Sequence, residues 1–348
     1  MPRKRSDRSS PATLADVASA AGVDPSTVSR VLRDDSGHRV SAETLARIRS
    51  AAQSLGYRPN PNARGLRMAR SMALGFVVPQ LDNPVFSDSV LSAERAARER
   101  GYSMLLMHVS ADVADAKIYS TFAESHRIDG LIVAAQESDS QLVDELSRVR
   151  IPTVVLNRQV PGMPNFVALE SESAARTVVE HLLRLGHRRI AHLTGNPVGF
   201  NGRQRLKGYT SALEAAGLKV EKRLLAEAGY TFNGGADAMS RILSQPGARP
   251  TAVFAATLLS AAGAMSVLHQ AGLLIPAQIS VAAVHDGRLA QLLHPPLTTV
   301  GLPVAEMGRR AAYGLVDMIN GKRKSITELL APESLVVRGS TAPPPDSG

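Results

Sequence analysis

The residues best suited to direct chemistry in this chain are polar side chains in the short segment PSTVSRVL. Ser26, Thr27, Ser29 and Arg30 place hydroxyl and guanidinium donors around the apolar Val28. Such donors hydrogen-bond to phosphate oxygens and to base edges in the grooves of DNA. If the segment is helical, Val28 marks its buried side and the four polar residues lie outside. The spacing therefore favours sequence-specific DNA binding.

Two short helices joined by a tight turn must position this polar face. Apolar residues recur at helical spacing and predict the buried face of the first helix: Leu14, Val17, Ala18 and Ala21. Gly22 favours the end of that helix because glycine accepts the left-handed conformation common at helix C-termini. Asp24 is placed to cap the second helix and Pro25 to occupy its first position. Together these signals predict a helix-turn-helix.

A third helix and a linker follow. Ser41 is expected to cap a helix over roughly residues 42–55, which Gly56 ends. Its predicted inner face consists of Leu45, Ile48, Ala52 and Leu55. The next stretch, YRPNPNARGLRMAR, contains prolines and arginines, and Gly65 weakens it as an isolated helix by roughly 1 kcal/mol. We expect this linker to become helical only when a partner orders it.

Charge and composition agree with a nucleic-acid partner and exclude several other classes. The 348 residues carry a net charge of +9, and residues 1–70 alone contain 13 Lys/Arg and 6 Asp/Glu. This asymmetry places the polyanion-binding surface at the helix-turn-helix. The absence of cysteine excludes disulfides, thiol catalysis and cysteine-based zinc sites. No apolar run reaches the length of a membrane span, and we expect a cytoplasmic protein.

From residue 72 onward, short apolar runs alternate with helical stretches. The predicted strands are 73–79, 103–109, 129–135, 152–157, 189–195, 223–229, 251–257 and 280–286, nearly continuous as in buried parallel sheets. The predicted helices lie near 86–100, 112–127, 139–149, 172–185, 203–216, 234–244, 260–271 and 303–320. This alternation predicts two doubly wound α/β lobes, which bind ligands between them at the carboxyl ends of the strands.

The predicted fold is thus an N-terminal all-α helix-turn-helix domain followed by a two-lobed α/β core with two doubly wound parallel sheets. The expected segments are a disordered basic tail (1–11), the helix-turn-helix domain (12–58), a hinge (59–70), the core (71–340) and a disordered tail (341–348). Within the core we expect an N-lobe over about 71–160 and 295–322, and a C-lobe over about 161–294 and 323–340.

Seven motifs, spread over nearly the whole chain, are specific as a set. They are TLADVASAAGV, STVSRVL, VSAETLARI, LGYRPNPNARGL, EHLLRLGHRRIAHLTG, RLKGY and LTTV. In these motifs the chain resembles the lactose-repressor (LacI/GalR) family of bacterial transcription regulators. The resemblance implies a periplasmic-binding-protein-like core and a homodimer, or a dimer of dimers, bound to a near-palindromic operator in the bacterial nucleoid. Two half-sites would then match the twofold symmetry of the protein.

The resemblance also implies which residues contact DNA. Pro25, Ser26 and Arg30 would face major-groove bases, and Pro25, which has no N–H to donate, suits an apolar contact such as a thymine methyl. Contact of Arg30 with phosphate alone is the alternative. The implied phosphate contacts are Thr27, Ser29 and the backbone N–H groups of Thr13 and Leu14.

Residues 60–68 match the hinge helix of the family. Leu66 lies where the family inserts a leucine into the minor groove at the operator centre, which unstacks a base step and bends the duplex. Packing of Leu66 against the hinge of the partner subunit is compatible with that role. The other hinge residues implied to contact DNA are Asn60, Ala63 and Arg67.

A small-molecule effector between the lobes is a further implication of the resemblance. Phe86 lies where an aromatic ring often stacks on the ligand, although a place in the hinge between the lobes is equally consistent. Arg205 lies where an arginine often pairs with a sugar hydroxyl or a carboxylate. Asn157 takes a place where the family often has Asp, and a hydrogen bond to the adjacent turn is its alternative.

Two strand ends depart from the family pattern. Thr257-Leu258 stands where Asn-Asp is usual, and His285 replaces the first of two carboxylates, before Asp286. Carboxylates and amides are the groups that accept paired sugar hydroxyls, so an ordinary hexose is a weaker expectation here. His285 with Arg205 suits an anionic ligand such as a phosphorylated sugar or an acid. The alternative is that no small effector binds.

Two rival functions find less support. Two α/β lobes are compatible with catalysis, but the sequence contains no GxGxxG, Walker, GxSxG or HExxH motif. A transport-type binding protein is disfavoured by the fused DNA-binding segment. We expect no enzyme activity, no cofactor and no metal site, and we assign His181, His187 and His192 to the scaffold.

Overall fold

The computed structural model describes residues 12–32, 40–57, 70–81, 83–109, 118–134, 145–146 and 148–345. They form two compact units, one ending at Arg70 and the other beginning at Ser71. This division falls between the predicted hinge and the predicted core.

The described part of the first unit contains three helices: α1 (Leu14–Ala21), α2 (Pro25–Val31) and α3 (Ala42–Ser54). Their apolar faces meet at Val17, Val28 and Ile48, all of which are fully buried. Burial of these side chains removes apolar surface from water and stabilises three helices that are too short to form alone.

The ends of these helices follow the predicted signals, with two differences. Gly22 has a φ of 61°, the left-handed conformation expected of it. Asp24 occupies the N-cap position of α2, but its side chain makes no capping hydrogen bond. Leu55 was expected on the inner face of α3 and is 41% exposed, because the helix ends at Ser54 and Ala51 packs inward instead.

The second unit contains twelve described strands and eight described α-helices. The strands are β1 (Ala73–Val78), β2 (Ser103–His108), β3 (Gly130–Val133), β4 (Thr153–Leu156), β5 (Phe166–Leu169), β6 (Ile190–Thr194), β7 (Leu225–Glu227), β8 (Ala252–Ala255), β9 (Ser280–Val284), β10 (Thr298–Val300), β11 (Thr327–Leu330) and β12 (Leu335–Val336). The helices are α4 (Pro84–Glu99), α5 (Ile118–Glu124), α6 (Ser171–Arg184), α7 (Phe200–Ala215), α8 (Phe232–Ser244), α9 (Leu258–Gln270), α10 (Arg288–Leu292) and α11 (Val304–Ile319).

These strands form two six-stranded sheets, one in each lobe. The N-lobe sheet has the order β11-β5-β4-β3-β1-β2, and the C-lobe sheet has the order β12-β10-β9-β8-β6-β7. Neighbouring strands are parallel except β12, which runs antiparallel to β10. The predicted pair of doubly wound parallel sheets is therefore present.

The lobe boundaries differ from the expected ones at three strands. β5 and β11 belong to the N-lobe sheet, whereas the predicted boundaries place them in the C-lobe. β10 belongs to the C-lobe sheet, although residues 295–322 were assigned to the N-lobe. The reason is direct pairing: β5 hydrogen-bonds to β4, so the chain leaves the first sheet only after Leu169.

The strand SMLLMH was expected to be buried, and this expectation is wrong. It forms β2, which pairs with β1 and is the edge strand on that side of the N-lobe sheet among the described strands. Leu105 and Leu106 are exposed there. An edge strand lacks a neighbour on one side, so its apolar sequence does not by itself bury it.

The C-terminal tail was expected to be disordered from residue 341, but its first residues are bound to the C-lobe. The buried ring of His187 donates from Nε2 to the carbonyl oxygen of Ala342 at 2.9 Å. The amide of Ala342 donates to Ser280 Oγ at 3.1 Å, and His181 Nε2 lies 3.1 Å from Thr341 Oγ1. Burial lowers the pKa of both histidines, which favours the neutral rings found in this scaffold.

None of the described helices is long and apolar enough to span a membrane. The described part of the chain contains no group of three or more His, Cys, Asp or Glu side chains arranged to hold a metal ion.

Candidate nucleic-acid interface and inter-lobe cluster

The face of α2 that is predicted to read DNA is largely exposed. Pro25, Ser26 and Arg30 are exposed, and Thr27 is half-buried. They reach the surface because Val28 and Val31 turn the opposite side of this seven-residue helix into the core of the unit. Arg30 thus combines a permanent positive charge with an accessible position in the last turn.

Ser29 does not share this exposed face. Only 7% of its surface is accessible, and it packs beside Val28 rather than opposite to it. The expectation that it lies outside is therefore wrong, because the packing of the unit buries this polar residue as well as the apolar ones beside it. Its predicted phosphate contact remains a prediction.

The backbone N–H of Thr13 was expected to contact phosphate, and it already has an acceptor in the protein. It donates to Asp16 Oδ2 at 2.8 Å as part of the capping box that begins α1. The hydrogen bonds from the Thr13 side chain and backbone lower the pKa of Asp16 and favour its carboxylate form. Leu14 begins α1, where backbone N–H groups have no acceptor within the helix.

The predicted hinge contacts lie outside the described residues. They are Asn60, Ala63, Leu66 and Arg67.

The described chain resumes at Arg70, and the carboxylate of Asp129 fixes the start of the core. Ser71 donates to Asp129 through its N–H at 2.7 Å and its hydroxyl at 2.9 Å, and the Met72 N–H adds a third bond at 2.9 Å.

Three of the predicted effector residues approach one another where the strands of the C-lobe sheet end. Arg205 on α7 is 4% exposed and donates from Nη1 to the carbonyl oxygen of Ala256, directly after β8, at 2.8 Å. Thr257 follows Ala256, and His285 follows the neighbouring strand β9. Parallel strands end at the same edge of a sheet, which is why residues far apart in sequence meet here.

His285 is the most unusual residue of this group. It is 4% exposed, its φ of 79° is in the left-handed region, and its Nε2 has no hydrogen-bond partner. Burial lowers the pKa of His285 to about 4, and the charge of Arg205 acts in the same direction while Asp286 opposes it. The ring is therefore neutral at pH 7, and its buried Nε2 is available to a ligand.

Thr257 caps the first turn of α9. Its hydroxyl accepts from the Ser260 N–H at 3.2 Å and lies 2.9 Å from Ser260 Oγ, which completes a capping box at the start of α9. Leu258, next in sequence, is buried in the C-lobe core. The proposed contact of Thr257 with an effector has no support in these hydrogen bonds.

Asp286 is also committed to the scaffold. Its carboxylate accepts from Arg338 Nη2 at 2.9 Å and from the Thr299 hydroxyl at 2.7 Å, and the charged Arg338 Nη1 lies 2.8 Å from its Oδ1. Although burial opposes the change, hydrogen bonds from Arg338 and Thr299 lower the pKa of Asp286 and keep it charged. The remaining carboxylate at this strand end thus neutralises Arg338.

Asn157 connects the N-lobe to this group of residues. It follows β4 with a φ of 65°, and its carbonyl oxygen accepts from Asn201 Nδ2 at 2.8 Å. Asn201 lies one turn before Arg205 on α7, and its own Oδ1 accepts from the Ser171 hydroxyl at 2.8 Å. The side-chain Oδ1 of Asn157 is buried and has no hydrogen-bond partner.

We call these residues the inter-lobe cluster: Asn157, Asn201, Arg205, Tyr230 and His285. Tyr230 and Asn201 were missed by the sequence analysis. The Arg205 guanidinium lies 5.9 Å from the centre of the Tyr230 ring, and a Cβ at Gly195 would lie 2.5 Å from that ring, so glycine permits its approach. Two signals in the sequence could have identified them. Tyr230 comes just after β7, and Asn201 lies one helical turn before Arg205.

His192 and the predicted effector residue Phe86 are both buried. His192 on β6 is fully buried between the rings of Tyr209 and Phe254, and burial lowers its pKa to about 4. Phe86 packs in a core formed with the N-lobe and is 9% exposed. Its burial agrees with a place in the scaffold, and its proposed stacking on a ligand remains a prediction.

A cavity of about 280 Å³ lies beside the cluster. Its lining includes Glu170, Ser171, Phe200 and Gln204, and the predicted effector residues are outside its wall. It opens next to Ser171, the hydrogen-bond partner of Asn201. The apolar and charged groups at its mouth make it a less specific candidate site than the buried polar atoms of the cluster.

Comparisons with known proteins agree with both units. The profile described as "Bacterial regulatory proteins, lacI family" matches residues 13–60, and the profile described as "Periplasmic binding protein-like domain" matches residues 179–341. The first match covers the helices of the DNA-binding unit, and the second covers the C-lobe strands that end at the cluster.

Curated relatives match along nearly the entire chain. The HTH-type transcriptional regulator DegA of Bacillus subtilis (strain 168) is 30% identical over 335 residues, which cover 95% of this chain and 98% of DegA. The ribose operon repressor of Escherichia coli (strain K12) is 33% identical over 331 residues, which cover 94% of this chain and 99% of the repressor.

Solved structures agree in fold as well. The lac repressor dimer bound to operator and the anti-inducer ONPF has a TM-score of 0.84 and 28% identity, covering 96% of this chain and all of that one. A complex of the transcriptional regulator CelR with cellobiose has a TM-score of 0.73 and 30% identity over 94% of this chain and 99% of that one. The chain belongs to the lacI family of bacterial transcriptional regulators. It is a DNA-binding regulator with an N-terminal helix-turn-helix and an effector-binding core.

Proposed function

We propose that this regulator is a repressor that binds a near-palindromic operator as a homodimer. In this proposal the exposed face of α2 reads the operator, and a small molecule held by the inter-lobe cluster sets the affinity for DNA. A dimer clamped on bent DNA would block polymerase. The protein would act in the bacterial cytoplasm, at the nucleoid, by binding rather than by catalysis.

The observation that supports DNA reading is the exposure of Pro25, Ser26 and Arg30 on a helix whose other side is fixed in a core. A recognition helix needs this arrangement because the groove admits its side chains only if the helix itself is rigidly held. The related lac repressor was crystallised as a dimer bound to operator, which supports extending the same mode to this chain.

The observation that supports an effector at the cluster is the pair of buried polar atoms without partners, Asn157 Oδ1 and His285 Nε2. Buried polar groups in native proteins are nearly always hydrogen-bonded, so such atoms suit a ligand. The two atoms belong to different lobes. A ligand that bonds to both would change the angle between the lobes and thereby move Ser71, which Asp129 holds to the N-lobe sheet.

A gel shift on the DNA upstream of the gene tests operator binding. We expect binding that is specific for sequence and falls steeply with salt, because phosphate contacts release counterions. Arg30→Ala should weaken operator binding about 10- to 100-fold, the loss typical of one bidentate base contact.

The matched control is Arg47→Ala, which removes the same charge from the exposed side of α3. If Arg30 reads a base, its loss should relax discrimination between operator and scrambled DNA, whereas Arg47→Ala should affect both DNAs alike. Equal losses on both DNAs with Arg30→Ala would assign Arg30 to phosphate. Equal affinity of the unmodified protein for every sequence would refute the proposed function.

A further inference from the structure

The two unsatisfied atoms of the inter-lobe cluster differ in chemistry. Asn157 Oδ1 is an amide oxygen, which accepts hydrogen bonds and donates none. His285 Nε2 becomes a donor when it carries a proton, and a protonated imidazole donates from both ring nitrogens. The complementary ligand therefore has a hydroxyl near Asn157 and an acceptor, most favourably a charged one, near His285.

The charges around His285 favour an anion. Arg205 acts on the rings of both His285 and His192 and lowers the pKa of each, so its positive potential extends across this end of the sheet. The other charge acting on His285 is Asp286, whose carboxylate is already bound by Arg338 and Thr299. Among the described residues, the strand ends after β8 and β9 therefore provide no carboxylate that is available to sugar hydroxyls.

We propose that the effector is a hydroxylated organic anion, a carboxylate or a phosphate, whose charged group binds between Arg205 and His285 while a hydroxyl donates to Asn157. Binding of the anion is accompanied by uptake of one proton from solvent on His285. This inference rests on the proposed function, because it specifies the ligand class of the same cluster.

The direction of the pH dependence follows from the site. Without ligand, burial and Arg205 hold the pKa of His285 near 4. An anion in contact with the ring favours its charged form and raises that pKa. Between the two pKa values the complex holds one proton more than the free protein, so affinity increases as the pH falls, by up to about tenfold per pH unit.

A proton NMR titration of the full-length protein with sodium sulfate tests the anion site. Sulfate does not titrate between pH 5 and 8, so a change in the His285 ring resonance reports the protein. We expect saturable binding that raises the pKa of His285 and weakens as the pH rises. His269, exposed on α9, is the internal control for non-specific effects of the salt.

Variants separate the roles of the charged groups. Arg205→Lys should keep weakened sulfate binding, because it keeps the charge. Arg205→Gln and His285→Gln should each reduce binding at pH 6 by more than tenfold, whereas His269→Gln should have no effect. The inference is wrong if sulfate leaves the His285 resonance unchanged, or shifts His269 as much as His285.

The hydroxyl contact has its own test. Asn157→Gly removes Oδ1 but accepts the positive φ found at this position. Calorimetry should show that Asn157→Gly weakens binding of D-gluconate several-fold and leaves sulfate binding unchanged. A variant that weakens both anions equally would contradict the assigned hydroxyl contact.

A gel shift with D-gluconate, D-glucose 6-phosphate and D-glucose distinguishes this inference from the proposed function. If the protein binds its operator and only neutral D-glucose binds the cluster or changes operator affinity, the anion is refuted while the proposed function stands. If the protein shows no sequence-specific DNA binding, the proposed function itself fails, whatever binds at the cluster.

Discussion

The exposed face of α2 and the inter-lobe cluster use similar polar residues in opposite surroundings. Arg30 on α2 is exposed, whereas Arg205 in the cluster is 4% exposed and bonded to a backbone carbonyl. On α2 the opposite side of the helix makes the buried contacts, so the exposed polar side chains are available for DNA. In the cluster Asn201, Arg205 and His285 are buried. The side chains of Asn201 and Arg205 form hydrogen bonds within the protein itself.

Because of this difference, replacing a side chain should have different effects on folding stability in the two regions. An exposed side chain that is not part of a helix cap makes little contribution to folding, so its replacement should affect ligand binding alone. A buried polar side chain leaves its partner unsatisfied when it is removed, so replacement should lower the stability of the fold. Measurements that combine unfolding with DNA binding therefore test whether the comparison is right.

The largest difference between the two regions is expected in how acid affects their stability. His192 and His285 have pKa values near 4 in the folded core, against about 6.5 in an unfolded chain. Between these values the unfolded chain binds more protons, so the stability of the core decreases as the pH falls from about 6.5 to 4. The loss approaches about 3 kcal/mol for each ring. Urea unfolding of the core at pH 7, 6 and 5 measures it.

His192→Phe is the matched variant for the acid experiment. It keeps the ring between Tyr209 and Phe254 but cannot titrate. Its stability should therefore depend less on pH than that of the unmodified protein. An identical dependence in both proteins would mean that His192 does not contribute.

The same substitution made in each region is a second test. Arg205→Ala should lower the free energy of unfolding of the core by about 1–3 kcal/mol, because the Ala256 carbonyl oxygen loses a charged donor. Arg30→Ala should change stability by less than about 0.5 kcal/mol, as is usual for an exposed residue. Thermal and urea unfolding measure the loss of stability in both variants, and equal losses would contradict the comparison.

Asp286 and His285 are adjacent, and only Asp286 is committed to an ion pair. Asp286→Asn should destabilise the core by about 1–3 kcal/mol, because the half-buried Arg338 loses its carboxylate. His285→Asn should have a smaller effect on unfolding at pH 7, since its Nε2 has no partner to lose. Urea unfolding at neutral pH compares them, and the reverse order would contradict the assignment of Asp286 to the scaffold.

The last comparison concerns two variants at the start of the DNA-binding unit. Thr13→Ala removes the side chain of the capping box that begins α1, and loss of such a cap usually costs about 1 kcal/mol. Thr13→Ser keeps the hydroxyl and should be nearly neutral. Thermal unfolding monitored by circular dichroism measures the difference, and equal stability of the two variants would contradict the role of the cap.

Much of the fold was predictable because local signals were strong. Gly22, Ser41 and Gly56 mark helix ends where the structure has them, and the continuous apolar runs became the buried parallel strands β1, β3, β4 and β6. β5 and β11 were missed because they pair with each other across a long stretch of chain, and because the sequence of β11, TELL, is not continuously apolar. Local patterns contain no information about such a partner.

The sequence by itself determined the helix-turn-helix, the two α/β lobes and the identity of the residues at the strand ends. These depend on spacing, capping and apolar periodicity, which act over a few residues. Only the tertiary structure decided which polar side chains remain available. It placed Ser29 in a core, bound Thr257 to Ser260 and Asp286 to Arg338, and left Asn157 and His285 with unsatisfied atoms. The physical reason is that burial and hydrogen-bond partners are contributed by elements far away in the chain.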